Sequence, residues 1–220
     1  MVIAACLAAW SLHVVASASQ VAGSIPFGSP GPLDGTIGTE WAQAYARGAS
    51  VRYQRTSCSC SATYLAVTLR LLHDAENLYI GLTMQAESYS LGWKEFKAVL
   101  ILDNGDGMSG NVGDNLIIVP AAGEYVAADL DYYYPRYSGN PLRGAQLDAQ
   151  QDVVGCGAWN SLARTYEIEI RIPLQSGDSC DVAIVPGKPF DLTVGFEAFD
   201  RYGKLTHSGT SPVVSVCVAP

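Results

Sequence analysis

The sequence predicts an all-β protein, an antiparallel β-sandwich or jelly roll with one short helix. Three observations predict it. Apolar residues recur with period two in segment after segment, turn-forming clusters of Asp, Asn, Gly and Pro separate those segments, and no amphipathic helix lies between them. With 220 residues, 49% of them hydrophobic, one domain with a substantial core is expected.

The chain opens on an apolar run, VIAACLAAWSLHVVA, that ends in the small-x-small pattern Ala16-Ser17-Ala18. Residues 1–18 are therefore read as a signal peptide, although the usual basic n-region is missing. The run is shorter than a spanning helix and is broken by Ser11 and His13, which makes a retained anchor the weaker alternative. A lipoprotein-like box at Ile3 to Cys6 sits too close to Met1. The mature protein is expected to begin at Ser19, to be secreted to the extracellular space or cell surface, and to carry no membrane segment after cleavage.

Residues 19–32, SQVAGSIPFGSPGP, are too rich in Gly, Ser and Pro to start a helix. They form a flexible N-terminal arm or an added edge strand, and residues 33–220 form the sandwich. The short helix is placed at Glu40 to Arg47, EWAQAYAR. In YLAVTLRLL, Leu65, Val67, Leu69 and Leu71 share one face; in LYIGLTMQ, Leu78, Ile80, Leu82 and Met84 do so. The polar stretch His73 to Asn77 between them makes this pair a hairpin. AVLIL (98–102) and LIIV (116–119) are continuous apolar runs, expected near the middle of a sandwich. TYEIEIRI alternates again, with Tyr166, Ile168, Ile170 and Ile172 inward, and Pro173 ends it. LTVGFEAF and VVSVCV supply two late strands, while Trp41 and Trp159 are assigned to the core.

The charge balance, 13 Lys+Arg against 21 Asp+Glu for a net −8, is a poor match to nucleic acid or an anionic membrane. Enzyme signatures are weak. Past the leader only His73 and His207 remain, and neither accompanies a nucleophile elbow or a Gly-rich phosphate loop. Glu167 and Glu169 lie on one side of one strand; they are read as a solvated face balanced by Arg171 rather than as a catalytic pair. Cys58, Cys60, Cys156, Cys180 and Cys217 are an odd set in an exported chain, so two disulfides and one spare thiol are expected, with the pairing open.

A cation is the stronger chemical signal. Asp103, Asn104, Asp106 and Asp114, interleaved with Gly105, Gly107 and Gly113, gather hard oxygen ligands on one connection, a composition that suits Ca²⁺. A plain hairpin turn needs only two residues, and three carboxylates this close repel one another without a counter-ion. Aromatics are the other resource. Tyr132, Tyr134 and Tyr137 fall in DLDYYYPRY, and Tyr89 and Trp93 in ESYSLGWKEF. Exposed aromatic faces suit sugar rings, whose axial C–H groups pack on a flat π surface. Core packing and edge protection are the alternatives for any single one of them.

Taken in order, PLDGTIGTEWAQA, VTLRLLHDAENLYIGLTM, VLILDNGDG…GDNLIIV, YEIEIRIPL and LTVGFEAFDRYG resemble the carbohydrate-binding module family 9 type of β-sandwich, related in fold to DOMON-like domains. The resemblance runs from Leu33 to about Gly209, and its Asp34-Gly35…Trp41 opening, HDAENLYIGL hairpin and EIEIRIPL strand are characteristic together. It implies a non-catalytic, calcium-stabilised sandwich that holds polysaccharide or glycan between aromatics, with Asp34, Asp103 and Asp106 on calcium and Trp93 stacking. A second Trp for a two-sided clamp is not placed. A haem-binding variant would need axial His and Met; Met84 is on an inward face and His73 is in the turn. The alternative function is a self-assembling subunit of an extracellular filament, tube or matrix. There the arm would add a strand to the next copy's sheet, a plan similar to that of tube-forming extracellular proteins of some hyperthermophilic archaea.

Overall fold

In the computed structural model of the chain, the described residues are 23–55, 63–85, 95–103, 115–123, 130–133, 145–179, 181–200, 202 and 205–220. They form thirteen strands: β1 (Ser24–Ile25), β2 (Tyr45–Arg55), β3 (Thr63–His73), β4 (Asn77–Gln85), β5 (Glu95–Asp103), β6 (Asn115–Gly123), β7 (Leu130–Tyr133), β8 (Gln146–Leu147), β9 (Val154–Asn160), β10 (Thr165–Pro173), β11 (Pro189–Phe199), β12 (Leu205–Thr210) and β13 (Val214–Val218). The hydrogen-bonded order is β8-β7-β6-β5-β11-β12-β2-β3-β4-β10-β9, with β13 on the first half of β11 and β1 added to β13 in parallel.

β12 is the corner of this sheet. It pairs with the last residues of β11 on one side and with Arg52 to Arg55 of β2 on the other. Folding there lays β5, β6, β11 and β13 over β2, β3, β4 and β10, and the inward residues of both layers form one cluster. Period-two patterning is what makes this possible: Leu65 to Leu71, Leu78 to Met84 and Tyr166 to Ile172 send alternate side chains into the same space. At the far margin β6 packs against β9 and β10. β5 and β6 are covered on both faces, because Val99, Ile101 and Leu116 form a second cluster on the outside. That explains why their sequences read as unbroken apolar runs.

The hairpin β3–β4 is closed by Asp74, whose Oδ1 accepts from the N–H of Glu76 at 2.8 Å and of Asn77 at 2.7 Å. The helix expected over Glu40 to Arg47 is not formed. Thr39–Trp41 makes one 3-10 turn, and from Tyr45 the chain is already strand, with Tyr45 opposite Leu71 and Arg47 opposite Leu69. A single turn suffices to set Trp41 onto the outer face of β4, where it joins Leu72 and Tyr79 with Leu33, Ile37 and Ala44 alongside. Gly81 allows this approach, since a Cβ there would sit 3.0 Å from Ile37 and 3.2 Å from the Trp41 indole. The arm is anchored in its described part: Ile25 is fully buried, and Phe27 forms an isolated bridge with His73.

The register defines two ends. At the upper end β4 finishes, β5 begins, β10 begins and β11 finishes. At the lower end β3 finishes, β4 begins, β6 begins and β10 finishes.

Candidate functional site

Below the upper end, six rings on six different strands cross the sandwich. His207 meets Tyr53 at 5.8 Å between centroids, Tyr53 meets Phe196 at 5.3 Å, and Phe196 meets Phe96 at 5.2 Å. Phe96 stacks on Tyr166 at 4.0 Å with planes 4° apart, and Tyr166 tilts against Trp159 at 4.7 Å. The inner rings are buried, whereas Tyr53, Trp159 and His207 at the two sides are half-buried. Such contacts are worth about 0.5–1.5 kcal/mol each beyond area burial, so the run stiffens the layer that carries the connections above it. Trp159, assigned to the core, packs against it from its margin.

Two connections leave this end from adjacent strand ends, because Glu95 of β5 lies opposite Phe199 of β11. The β11–β12 connection carries Tyr202, which is 76% exposed. Nearby, Lys97 Nζ sits 4.9 Å over the Phe199 ring. Tyr89 and Trp93 belong to the β4–β5 connection, outside the described residues. Tyr202 escaped the sequence reading. Its signal was the polar, Gly-containing run FDRYGK between two apolar strands, where an aromatic has no core to enter.

The second aromatic group starts elsewhere. Tyr132 sits on β7, opposite Leu116 and Leu147, and its neighbour Tyr133 pairs with Asn115 at the lower end. Tyr134 and Tyr137 follow outside the described residues. The two candidate aromatic segments thus depart from strand ends at opposite ends of the sandwich.

Among the metal candidates, Asp103 ends β5, is buried, and lies opposite the equally buried Asp191 of β11. Asn104, Asp106 and Asp114 fall outside the described residues. Asp34 is exposed. Its carboxylate accepts from the hydroxyl and the N–H of Thr36, which hold it below the usual Asp range. Its loop covers the outer face of β10, while Asp103 points to the outer face of the opposite layer, so the sandwich lies between them. Among the described residues no group of three His, Cys, Asp or Glu is arranged to hold a metal. A looser acidic cluster sits at the lower end. Asp181 accepts from Asn115 Nδ2 at 2.6 Å, and burial, then the charges of Asp152 and Asp148, push its carboxyl up against the pull of hydrogen bonds from Ser176 and Asn115.

Glu167 and Glu169 are not a solvated face. Glu169 is 1% exposed; its Oε2 accepts from the N–H of Asp34 at 2.7 Å and Gly35 at 2.8 Å, and its Oε1 from Trp41 Nε1 at 3.0 Å. Glu167 accepts from the N–H of Ile37 at 2.9 Å, from Asn160 Nδ2 at 2.9 Å and from Thr165 Oγ1 at 3.2 Å. The reason is the opening loop, which lies over this face and brings its own unpaired N–H groups. Gly35, at φ +82°, lets the loop turn while its N–H reaches the carboxylate.

Cys156 on β9 and Cys217 on β13 are not joined to each other, and Cys217 Sγ donates to the carbonyl of Val218 at 3.2 Å. Cys58, Cys60 and Cys180 lie outside the described residues. Met84 and His73, the pair a haem would need, stand near opposite ends of the β3–β4 hairpin, Met84 opposite Val67 and His73 opposite Leu78. Six residues of strand separate Leu78 from Met84, roughly 20 Å.

The fold and this arrangement define a class: a β-sandwich module with an aromatic-floored end. No protein-family model matches the chain, and no curated protein matches it. Among solved structures, a carbohydrate-binding module of family 9 from Caldicellulosiruptor kristjanssonii in complex with cellotriose matches at a TM-score of 0.50 and 14% identity, covering 90% of this chain and 93% of that one. A family 9 module from the same organism in complex with glucose matches at 0.49 and 15%, covering 85% and 83%. The chain has a family 9-like β-sandwich.

Proposed function

We propose that the chain is a secreted, non-catalytic module that binds polysaccharide or glycan through aromatic side chains at its upper end. The observation that carries the reading is Tyr202, exposed on the connection beside the strand end from which the Trp93-bearing connection enters β5, above a floor of interlocked rings. An aromatic held on a stiff layer loses little entropy on ligand binding and offers a flat face to sugar C–H groups. The like-folded module in complex with cellotriose supports the choice of ligand class. Export is supported by the leader at residues 1–18.

Ca²⁺ is the proposed cofactor. Asp103 and Asp191 supply the support, since two buried carboxylates directly opposite on adjacent strands repel one another and a bound cation would relieve that repulsion. Asn104, Asp106 and Asp114 would supply further oxygen from the connection that Asp103 opens. Trp93→Ala and Tyr202→Ala should each weaken retention on soluble and insoluble polysaccharides without changing the fold. Retention equal to the wild type would remove both residues from the site.

Assembly by strand exchange is the second reading. β1 is a two-residue edge strand whose buried Ile25 plugs its own sheet, the kind of unit that a neighbouring copy can replace. Light scattering after size exclusion tests it, with growth of ordered particles expected for exchange and a monomer against it.

A further inference from the structure

A groove crosses the lower end of the sandwich. Two cavities of about 530 Å³ and 270 Å³ share Ala75, Leu174 and Pro186, which makes them one depression beneath the β3–β4 turn. Its size is that of a small-molecule site.

Phe27, 69% exposed, stands at one side with its ring edge-on to His73, centroids 5.4 Å apart. Its backbone is pinned, because Gly28 N–H donates to the His73 carbonyl at 2.7 Å and His73 N–H to the Pro26 carbonyl at 3.2 Å. Phe27 thus offers a flat apolar face to solvent from a fixed backbone beside the groove.

His73 is 5% exposed and lines the same groove. Its Nδ1 lies 3.0 Å from the Asp74 carbonyl. A carbonyl only accepts, so Nδ1 carries the proton and Nε2 of the neutral ring keeps a lone pair. That Nε2 is buried and has no hydrogen-bond partner among the described residues. Buried acceptors are nearly always satisfied. Phe27 and His73 line the same side of the groove, so the exposed ring and the buried imidazole lie next to each other there. On the far side Glu76 and Gln175 present exposed polar ends. The acidic Asp74 and Glu76 disfavour an anionic ligand.

We propose that this groove is a second saccharide subsite. A pyranose ring packs its C–H face on Phe27, one hydroxyl donates to His73 Nε2, and Glu76 and Gln175 take further hydroxyls. The proposal rests on the reading of the protein as carbohydrate-binding, but its residues lie at the end opposite Tyr202.

The test is a ¹H–¹⁵N NMR titration of the full chain with cellotriose, xylotriose, mannotriose and chitotriose in turn, on wild type, Phe27→Ala, His73→Phe and Trp93→Ala. At least one sugar should shift the amides of Gly28, His73, Glu76 and Gln175 saturably. The shifts should persist in Trp93→Ala and weaken at least tenfold in affinity in Phe27→Ala and His73→Phe. Because Phe27 is exposed, its variant keeps the amide dispersion of the folded protein. Shifts confined to Glu95, Tyr202 and their surroundings, unchanged in Phe27→Ala, overturn the groove and leave the upper end standing. No shift with any of the four sugars overturns both.

Discussion

Glu169 shows how much one side chain can organise. Its carboxylate collects three N–H donors from the opening loop and from Trp41, and no basic partner is needed where donors converge this way. Glu169→Gln turns one oxygen into a donor facing other donors. Unfolding in urea should show a loss of about 1–3 kcal/mol, whereas an unchanged midpoint would mean the loop is held by Trp41 packing alone. Asp74 gives a pH-dependent counterpart. Burial acts to raise its carboxyl, but hydrogen bonds from the Tyr79 hydroxyl and from Glu76 and Asn77 outweigh it and hold it below the ordinary Asp value. Its contribution is complete above that ordinary value, about 3.9, and is lost as pH falls through the lower folded-state value. The stability gap between wild type and Asp74→Asn should therefore narrow as the pH is taken from 5 to 2; a constant gap would contradict the assignment. At this scale the sequence told which faces Glu167 and Glu169 take, because alternation is local. It could not tell that the face is covered, because the covering loop is about 130 residues away in the chain.

At the scale of elements, the strands were the legible part. The β3–β4 hairpin appears with its inward residues as read, and β10 sends Tyr166 to Ile172 into the core. EWAQAYAR misled for a physical reason: its Ala and Glu favour helix, but Tyr45 and Arg47 gain a full ladder against β3. The arm was legible only as non-helical. That two of its residues complete β13, with Ile25 fully buried, depends on a partner at the other end of the chain. Ile25→Ala should cost about 2–5 kcal/mol, read from urea or thermal unfolding. A near-neutral result would show that β1 contributes little and is free to exchange.

For the whole molecule, the register sorts the connections into two ends, and that sorting was invisible in the sequence. Tyr89 and Trp93 on one side, and Tyr134 and Tyr137 on the other, look like one aromatic resource until β4–β5 and β7–β8 are placed at opposite ends. Calcium acts at this scale as well. If Ca²⁺ neutralises the carboxylates around Asp103, chelation should lower the thermal midpoint of the wild type and leave Asp103→Asn indifferent, and calorimetry in Ca²⁺ and in chelator would show it. The central claim is that the upper end binds carbohydrate. The most direct measurement is isothermal titration of wild type, Trp93→Ala and Tyr202→Ala with cellotriose and a panel of other oligosaccharides. Saturable binding by the wild type, weakened at least tenfold (about 1.4 kcal/mol) in either variant, is the predicted result. Binding that is absent across the panel, or untouched by both substitutions, would contradict it.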